Sequence, residues 1–138
     1  MNSSDREEIA ARIRAWGLQL DALTAGWQHM LALLATEQTA MERNNETLWA
    51  STLAQKQRLR QQLARQVAEA RWMRETIPLY ALRFEEGPRL LEELYEAEQV
   101  ERKLAALREA RAAYMQASQR LRGQSDRYLN RYGLSQRG

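Results

Sequence analysis

The residues of this chain that could carry chemistry do not occur in the patterns that catalysis requires. His29 is the only histidine and has neither an HExxH motif nor an acidic cluster beside it, so we expect a solvated helix residue rather than a metal ligand. Cysteine is absent, which excludes thiolate nucleophiles and Cys-ligated metals. The six glycines form no phosphate-binding loop. The sequence therefore predicts a protein that is not an enzyme and has no catalytic residue, metal or cofactor.

Two pairs of adjacent glutamates, at 85–86 and 92–93, are the remaining candidates for acid/base work. General acid catalysis needs a carboxyl group whose surroundings raise its pKa. Both pairs lie in an acidic stretch around a predicted helix start, where carboxylates complement the helix dipole. We interpret them as surface residues that favour the helix and the solubility of the chain.

Apolar residues also occur beyond Gly123, in the C-terminal stretch QSDRYLNRYGLSQRG. One hypothesis is that residues 123–138 form a flexible tail whose apolar side chains are covered by a partner. A second is that the helix continues through Gly123 and that Tyr128 and Tyr132, one turn apart, pack on the core of the protein itself. The arginines and tyrosines of this stretch could also contact nucleic acid.

The elements that must position these residues are predicted to be helices, because proline occurs only twice and strong helix formers dominate. The length suits one domain, and charged residues interrupt the N-terminal stretch, so we expect a soluble cytoplasmic protein without signal peptide or membrane span. The net charge of +3 is distributed with alternating sign, which predicts helices that pair through opposite charges. It is −2 over 1–44, +4 over 45–74, −6 over 75–101 and +7 over 102–138.

The first helix is predicted over residues 5–43, with a capping-box pattern at Ser4 and Glu7. Its apolar positions repeat every 3.5 residues on average, with one gap at Glu37, and such a stripe requires a partner helix along its length. The stripe consists of Ile9, Ile13, Trp16, Leu20, Leu23, Trp27, Met30, Leu34 and Met41.

A corner is predicted at Asn44 and Asn45, since asparagine tolerates turn conformations and caps helices. A basic amphipathic helix follows over 47–76. Pro78 and Pro88 disfavour helix in the residues before them, so we expect at most a short helical turn within 78–86 and a third helix over 88–122. The predicted fold is all-α: an antiparallel hairpin of long helices plus a third long helix, forming a coiled-coil-like three-helix bundle with a flexible C-terminal tail.

The third predicted helix has an incomplete apolar face, because polar residues fall in its apolar register and its far half is rich in alanine. Amphipathic helices laid in grooves are a recurrent mode of recognition, and a face that buries little by itself suits that mode. We therefore predict a partner-binding surface on this helix and the tail, made of Leu107, Arg111, Tyr114, Ser118, Leu121, Tyr128, Leu129, Tyr132 and Leu134.

Short helical patterns occur along most of the chain: LALLATEQ at 31–38, ETL at 46–48, KQRL at 56–59, LAALRE at 104–109, then Leu121 and the Tyr132-Gly133 tail. Together they resemble the FlgN-type flagellar export chaperones of bacterial type III secretion. The chain departs from that family at 110–112, where it has Ala-Arg-Ala and the family usually has asparagines.

The resemblance implies a small cytosolic chaperone that binds the C-terminal helical segments of hook-filament junction proteins, prevents their premature assembly and delivers them to the export apparatus. It also implies that the late helix and tail bind the substrate, at Leu107, Tyr114, Leu121, Tyr128 and Tyr132. On this hypothesis, deleting residues 123–138 abolishes substrate capture and leaves thermal stability nearly unchanged.

Two other functions compete with this one. A coiled-coil stalk or adaptor of a type III secretion apparatus would be two long helices with little tail, which the interruption between Pro78 and Pro88 disfavours. A basic nucleic-acid-binding module would show strongly salt-dependent binding, but the acidic segment 75–101 would repel phosphates. We expect neither nucleic acid nor a membrane as partner, and a homo-oligomer could cover the same apolar face.

Overall fold

The computed structural model describes residues 3–131, and every regular element in that range is an α-helix. In chain order these are α1 (Ser3–Glu42), α2 (Glu46–Ala81), α3 (Gly87–Ala97) and α4 (Val100–Arg131). Helix α1 contacts each of the other three. The all-α prediction is therefore confirmed, and the arrangement is compatible with a helical bundle.

The predicted stripe of α1 forms the centre of the core, where Ile9, Ile13 and Met30 are fully buried. The gap in the stripe is also buried, because Glu37 is only 2% exposed. Its Oε1 accepts a hydrogen bond of 2.7 Å from Nζ of Lys56 on α2. A buried carboxylate is costly unless it is paired, so Lys56 is what allows Glu37 to occupy a core position.

The corner between α1 and α2 has the predicted asparagine chemistry. Asn44 adopts the left-handed conformation, with φ of 52°. The side-chain oxygen of Asn45 accepts a hydrogen bond of 3.0 Å from the backbone N–H of Leu48 and so caps α2. At the start of α1, by contrast, Ser4 already lies within the helix rather than at its N-cap.

Contacts between helices follow a regular order along the chain. Those between α1 and α2 run in reverse order, as in antiparallel helices: Glu37 with Lys56, Gly26 beside Leu63, and Glu8 with Tyr80. Those between α1 and α4 run in the same order: Asp21 with Lys103, and Trp27 with Tyr114. Two of these contacts are ion pairs in which a basic residue of α2 or α4 meets an acidic residue of α1.

Helix α2 is longer than the predicted 47–76, because it continues through Pro78 to Ala81. The short helical turn expected within 78–86 is therefore wrong: residues 78–81 complete α2, and turns lead from Leu82 to Glu86. Proline removes one helix hydrogen bond, but Ile77 and Ala81 on either side of it are buried. Burial of these two residues offsets the missing bond.

The predicted helix over 88–122 is also wrong, because it consists of two helices. Helix α3 ends at Ala97 and α4 begins at Val100, with Gln99 between them at φ of 57°. The break lies between two core residues, Leu94 and Val100, both 3% exposed. A straight helix would turn these residues to different faces, since six residues correspond to a rotation of roughly 240° at 3.6 residues per turn. The break allows both to reach the core.

The C-terminal end differs from the prediction as well, because α4 continues through Gly123 to Arg131. Residues 123–131 are therefore helix and not a flexible tail. A Cβ at Gly123 would meet only the Arg127 side chain, so this glycine is an ordinary position in a helix. The remainder of the predicted tail, 132–138, lies outside the described residues.

Candidate partner-binding groove

Three tryptophan–tyrosine pairs join the second half of the chain to the first. Trp16 meets Tyr95 edge to face, with ring centroids 6.0 Å apart. Trp27 and Tyr114 are 5.4 Å apart, and Trp49 and Tyr128 are 5.1 Å apart. Aromatic pairs at these distances stabilise a fold beyond the area that they bury. These contacts therefore determine where α3 and α4 lie on the rest of the molecule.

Helices α2 and α4 both pack on α1, but no Cα atom of one comes within 8 Å of a Cα atom of the other in the range 3–131. Near the start of α2 and the end of α4 they touch through Trp49 and Tyr128. The second half of α2 and the first half of α4 are separated by a groove of about 360 Å³. We call it the α2–α4 groove.

The floor and the rims of the α2–α4 groove differ in chemistry. The floor comes from the apolar stripe of α1 and the inner apolar residues of α2 and α4: Trp16, Leu20, Leu23, Trp27, Val67, Ala70, Leu104 and Leu107. The rims carry four arginines, Arg71 and Arg74 on α2 and Arg108 and Arg111 on α4. An apolar floor with a polar rim is the usual anatomy of a protein-binding surface.

The residues predicted to bind a partner are distributed over three places in the structure. Leu107 and Arg111 line the groove, and the Arg111 guanidinium carbon lies 5.9 Å from the centre of the Trp27 ring, within cation–π range. Tyr114 lies beneath them, 5% exposed, with its ring against Trp27. Tyr114 therefore supports the groove from inside the protein and does not offer a free surface.

Further along α4, the predicted residues pack on the protein itself. Ser118 and Leu121 line a hollow beside the buried Glu37–Lys56 pair. Tyr128 is 5% exposed against Trp49, and Leu129 is half-buried at the edge of the same core. Of the two hypotheses for the C-terminal stretch, the structure of residues 123–131 agrees with the second: the helix continues and Tyr128 packs on the core. Tyr132 and Leu134 lie outside the described residues.

Sequence reasoning missed the α2 side of the site. The predicted binding residues all lie at 107 or later, so they include neither Arg71 nor Arg74 of α2. A signal was present, since Trp72 beside them interrupts a basic helix with an aromatic residue that is 57% exposed. Because α2 and α4 are far apart in sequence, only their packing on α1 shows that their arginines flank one groove.

The histidine and the paired glutamates considered for metal binding or acid/base chemistry lie on the surface, and Glu93 forms an ion pair. His29 and the four glutamates at 85–86 and 92–93 are exposed. The Arg6 guanidinium, 2.8 Å from Glu93, lowers the pKa of that carboxyl first by a hydrogen bond and then by its charge. A general acid needs a raised pKa, so Glu93 has the opposite character. Burial raises the pKa of the Tyr95 hydroxyl, and the charge of Arg74 partly opposes this.

Residues 3–131 contain no group of three or more His, Asp and Glu side chains placed to hold a metal ion. None of the four helices in that range combines the length and the apolar character needed to cross a lipid bilayer. Comparison with known proteins found no matching family model, no matching curated protein and no matching solved structure.

Proposed function

We propose that this protein is a cytosolic export chaperone of a bacterial flagellar or related type III secretion system. In this role it binds the C-terminal helical segments of hook-filament junction proteins, keeps them from assembling prematurely and delivers them to the export apparatus. The proposal combines the sequence patterns that resemble FlgN-type chaperones with a helical fold that leaves one apolar groove open. Within it, the antiparallel hairpin of α1 and α2 is the platform and α4 is the substrate-binding helix.

The observation that carries the proposal is the separation of α2 and α4 above the apolar floor of α1. In a closed three-helix bundle all three helices contact one another around a common core. Here α2 and α4 each contact α1, while the second half of α2 and the first half of α4 leave the α2–α4 groove between them. A helix laid over this groove would insert apolar side chains at i, i+3, i+4 and i+7.

The groove also suits a complex that must be released. Along α4 it extends over eight residues, from Leu104 to Arg111, a rise of roughly 10 Å or about two helical turns. An interface of this length, with a small apolar contact and exposed rims, favours moderate affinity, because the cost of association offsets much of the buried area. Moderate affinity is what delivery to an export apparatus requires.

The test is calorimetric titration of the purified protein with a C-terminal helical fragment of a hook-filament junction protein. Leu107→Glu replaces an apolar side chain of the floor by a carboxylate and is expected to weaken binding at least about tenfold, since removing a charge from water on binding costs several kcal/mol. Leu18→Glu is the matched control, because Leu18 is 65% exposed and does not line the groove.

Circular dichroism of both variants establishes that they remain folded before binding is compared. Equal loss of binding in the two variants would place the binding surface elsewhere. If the unaltered protein binds no junction-protein fragment, the proposed chaperone function is wrong.

A further inference from the structure

We infer that the helix bound in the α2–α4 groove is acidic, with carboxylates along both edges of an apolar stripe. This inference rests on the proposed function and adds the charge pattern by which the chaperone selects its substrate. It assigns substrate selection to the four rim arginines, Arg71, Arg74, Arg108 and Arg111.

The first argument is that exposed arginines lie on both rims of the groove without a carboxylate of the described chain beside them. All four rim arginines are exposed. Within residues 3–131, Arg71, Arg74 and Arg108 form no salt bridge, so the protein itself does not neutralise these charges.

Positive charges on both sides of one groove repel each other, and an anionic partner relieves this repulsion. Arginine is also the side chain best suited to bind carboxylates with two parallel hydrogen bonds.

The second argument is that a partner must cover the apolar floor of the groove and also pair with both rims, which an amphipathic helix can do and other anionic partners cannot. A nucleic-acid backbone would pair with the arginines but would leave Trp27, Leu104 and Leu107, the half-buried part of the floor, uncovered in the groove. An amphiphile with one anionic head group would cover the apolar floor, but its single negative charge could pair with only one of the two basic rims. An amphipathic helix with acidic residues on both sides of its apolar stripe matches floor and rims together.

Other parts of this chain do not have the required chemistry. Residues 132–138 contain Arg137 and no Asp or Glu. Helix α3 of a second copy is acidic, but it could not insert its apolar side into the groove. That side already packs on its own chain, because Leu94 is 3% exposed and Tyr95 packs on Trp16. The occupant is therefore a helix of another protein.

The experiment uses three synthetic helical peptides that share one leucine stripe and carry Glu, Gln or Lys at every flanking position. Their affinities for the full-length protein are measured by fluorescence anisotropy at low and high salt. The Glu-flanked peptide is expected to bind about tenfold more tightly than the Gln-flanked one, as several exposed ion pairs add up, and this preference is expected to fall with salt. The Lys-flanked peptide is expected to bind most weakly.

A pair of charge-matched variants assigns the preference to the rims. The double variant Arg71→Gln/Arg108→Gln removes one arginine from each rim and is expected to abolish most of the Glu-over-Gln preference. The control Arg65→Gln/Arg120→Gln has the same net charge and changes exposed arginines of the same two helices that do not line the groove. It is expected to keep the preference.

The outcomes separate this inference from the proposed function. Equal binding of the Glu- and Gln-flanked peptides overturns the acidic pattern and leaves helix capture in place. No binding of any peptide overturns the inference, and the separate titration with the junction-protein fragment decides the proposed function. Loss of preference in the control variant shows a general effect of net charge and overturns the assignment to the rims. Tighter binding of a single-stranded oligonucleotide than of the Glu-flanked peptide, lost in the rim variant, makes the groove a nucleic-acid site and also overturns the inference.

Discussion

Replacing Tyr128 by alanine tests whether the end of α4 belongs to the core. The Tyr128 side chain is 5% exposed, and its ring lies 5.1 Å from that of Trp49, which is 6% exposed. An aromatic side chain buries at least about 150 Å², which corresponds to roughly 4 kcal/mol at 25 cal/mol per Å². Tyr128 lies one turn before the last described residue of α4, where the helix can fray instead of leaving a cavity. We therefore expect a loss of about 2–3 kcal/mol in the free energy of unfolding.

The measurement is urea unfolding followed by far-UV circular dichroism and by tryptophan fluorescence. The control is Met115→Ala, because Met115 lies on the same helix and is 45% exposed; its expected change is within about 0.5 kcal/mol. A double-mutant cycle with Trp49→Leu isolates the contact itself, for which we expect a coupling of about 1 kcal/mol. If Tyr128→Ala is no more destabilising than Met115→Ala, the packing of Tyr128 on Trp49 is not formed in solution.

This result also changes how a C-terminal deletion must be interpreted. Removing residues 123–138 takes away Tyr128 and Leu129 together, so we expect it to destabilise the protein at least as much as Tyr128→Ala. The sequence-based expectation of unchanged stability is therefore replaced. Loss of substrate binding in such a truncated chain would not by itself place the binding site in the tail, and point variants in the groove are the sharper test.

Three further substitutions test other parts of the fold by chemical denaturation. Gly87→Ala is expected to destabilise by about 2–4 kcal/mol, because a Cβ there would overlap the backbone carbonyl of Ala81 and the corner between α2 and α3 would have to move. Gly123→Ala is expected to stabilise by about 0.5–1 kcal/mol, since the position is helical and has room for a methyl group; destabilisation there would contradict a continuous α4. Lys56→Met is expected to lower the free energy of unfolding by about 3 kcal/mol, because it leaves Glu37 buried without its partner. Adding Glu37→Leu should restore part of this loss. Equal effects of the single and double variants would show that the pair is not buried.

Three features could be predicted from the amino-acid sequence: the helical class, the core stripe of α1 and the corner at Asn44 and Asn45. These features are local: helix propensity, an apolar repeat of 3.5 residues and asparagine capping act over a few residues. The alternating net charge also anticipated ion pairs between helices, as Glu37–Lys56 and Asp21–Lys103 show. Of the nine predicted partner-binding residues, Leu107 and Arg111 line the groove.

The positions of the helix breaks and of the open faces depend on how the helices pack on one another. Pro78 and Gly123 are local signals for helix ends, yet both lie inside helices, because burial of neighbouring residues such as Ala81 and Tyr128 stabilises the continued helix. The break at Gln99 has no glycine or proline to announce it. The α2–α4 groove depends on contacts between residues distant in sequence, and these are set by how α2 and α4 pack on the shared surface of α1.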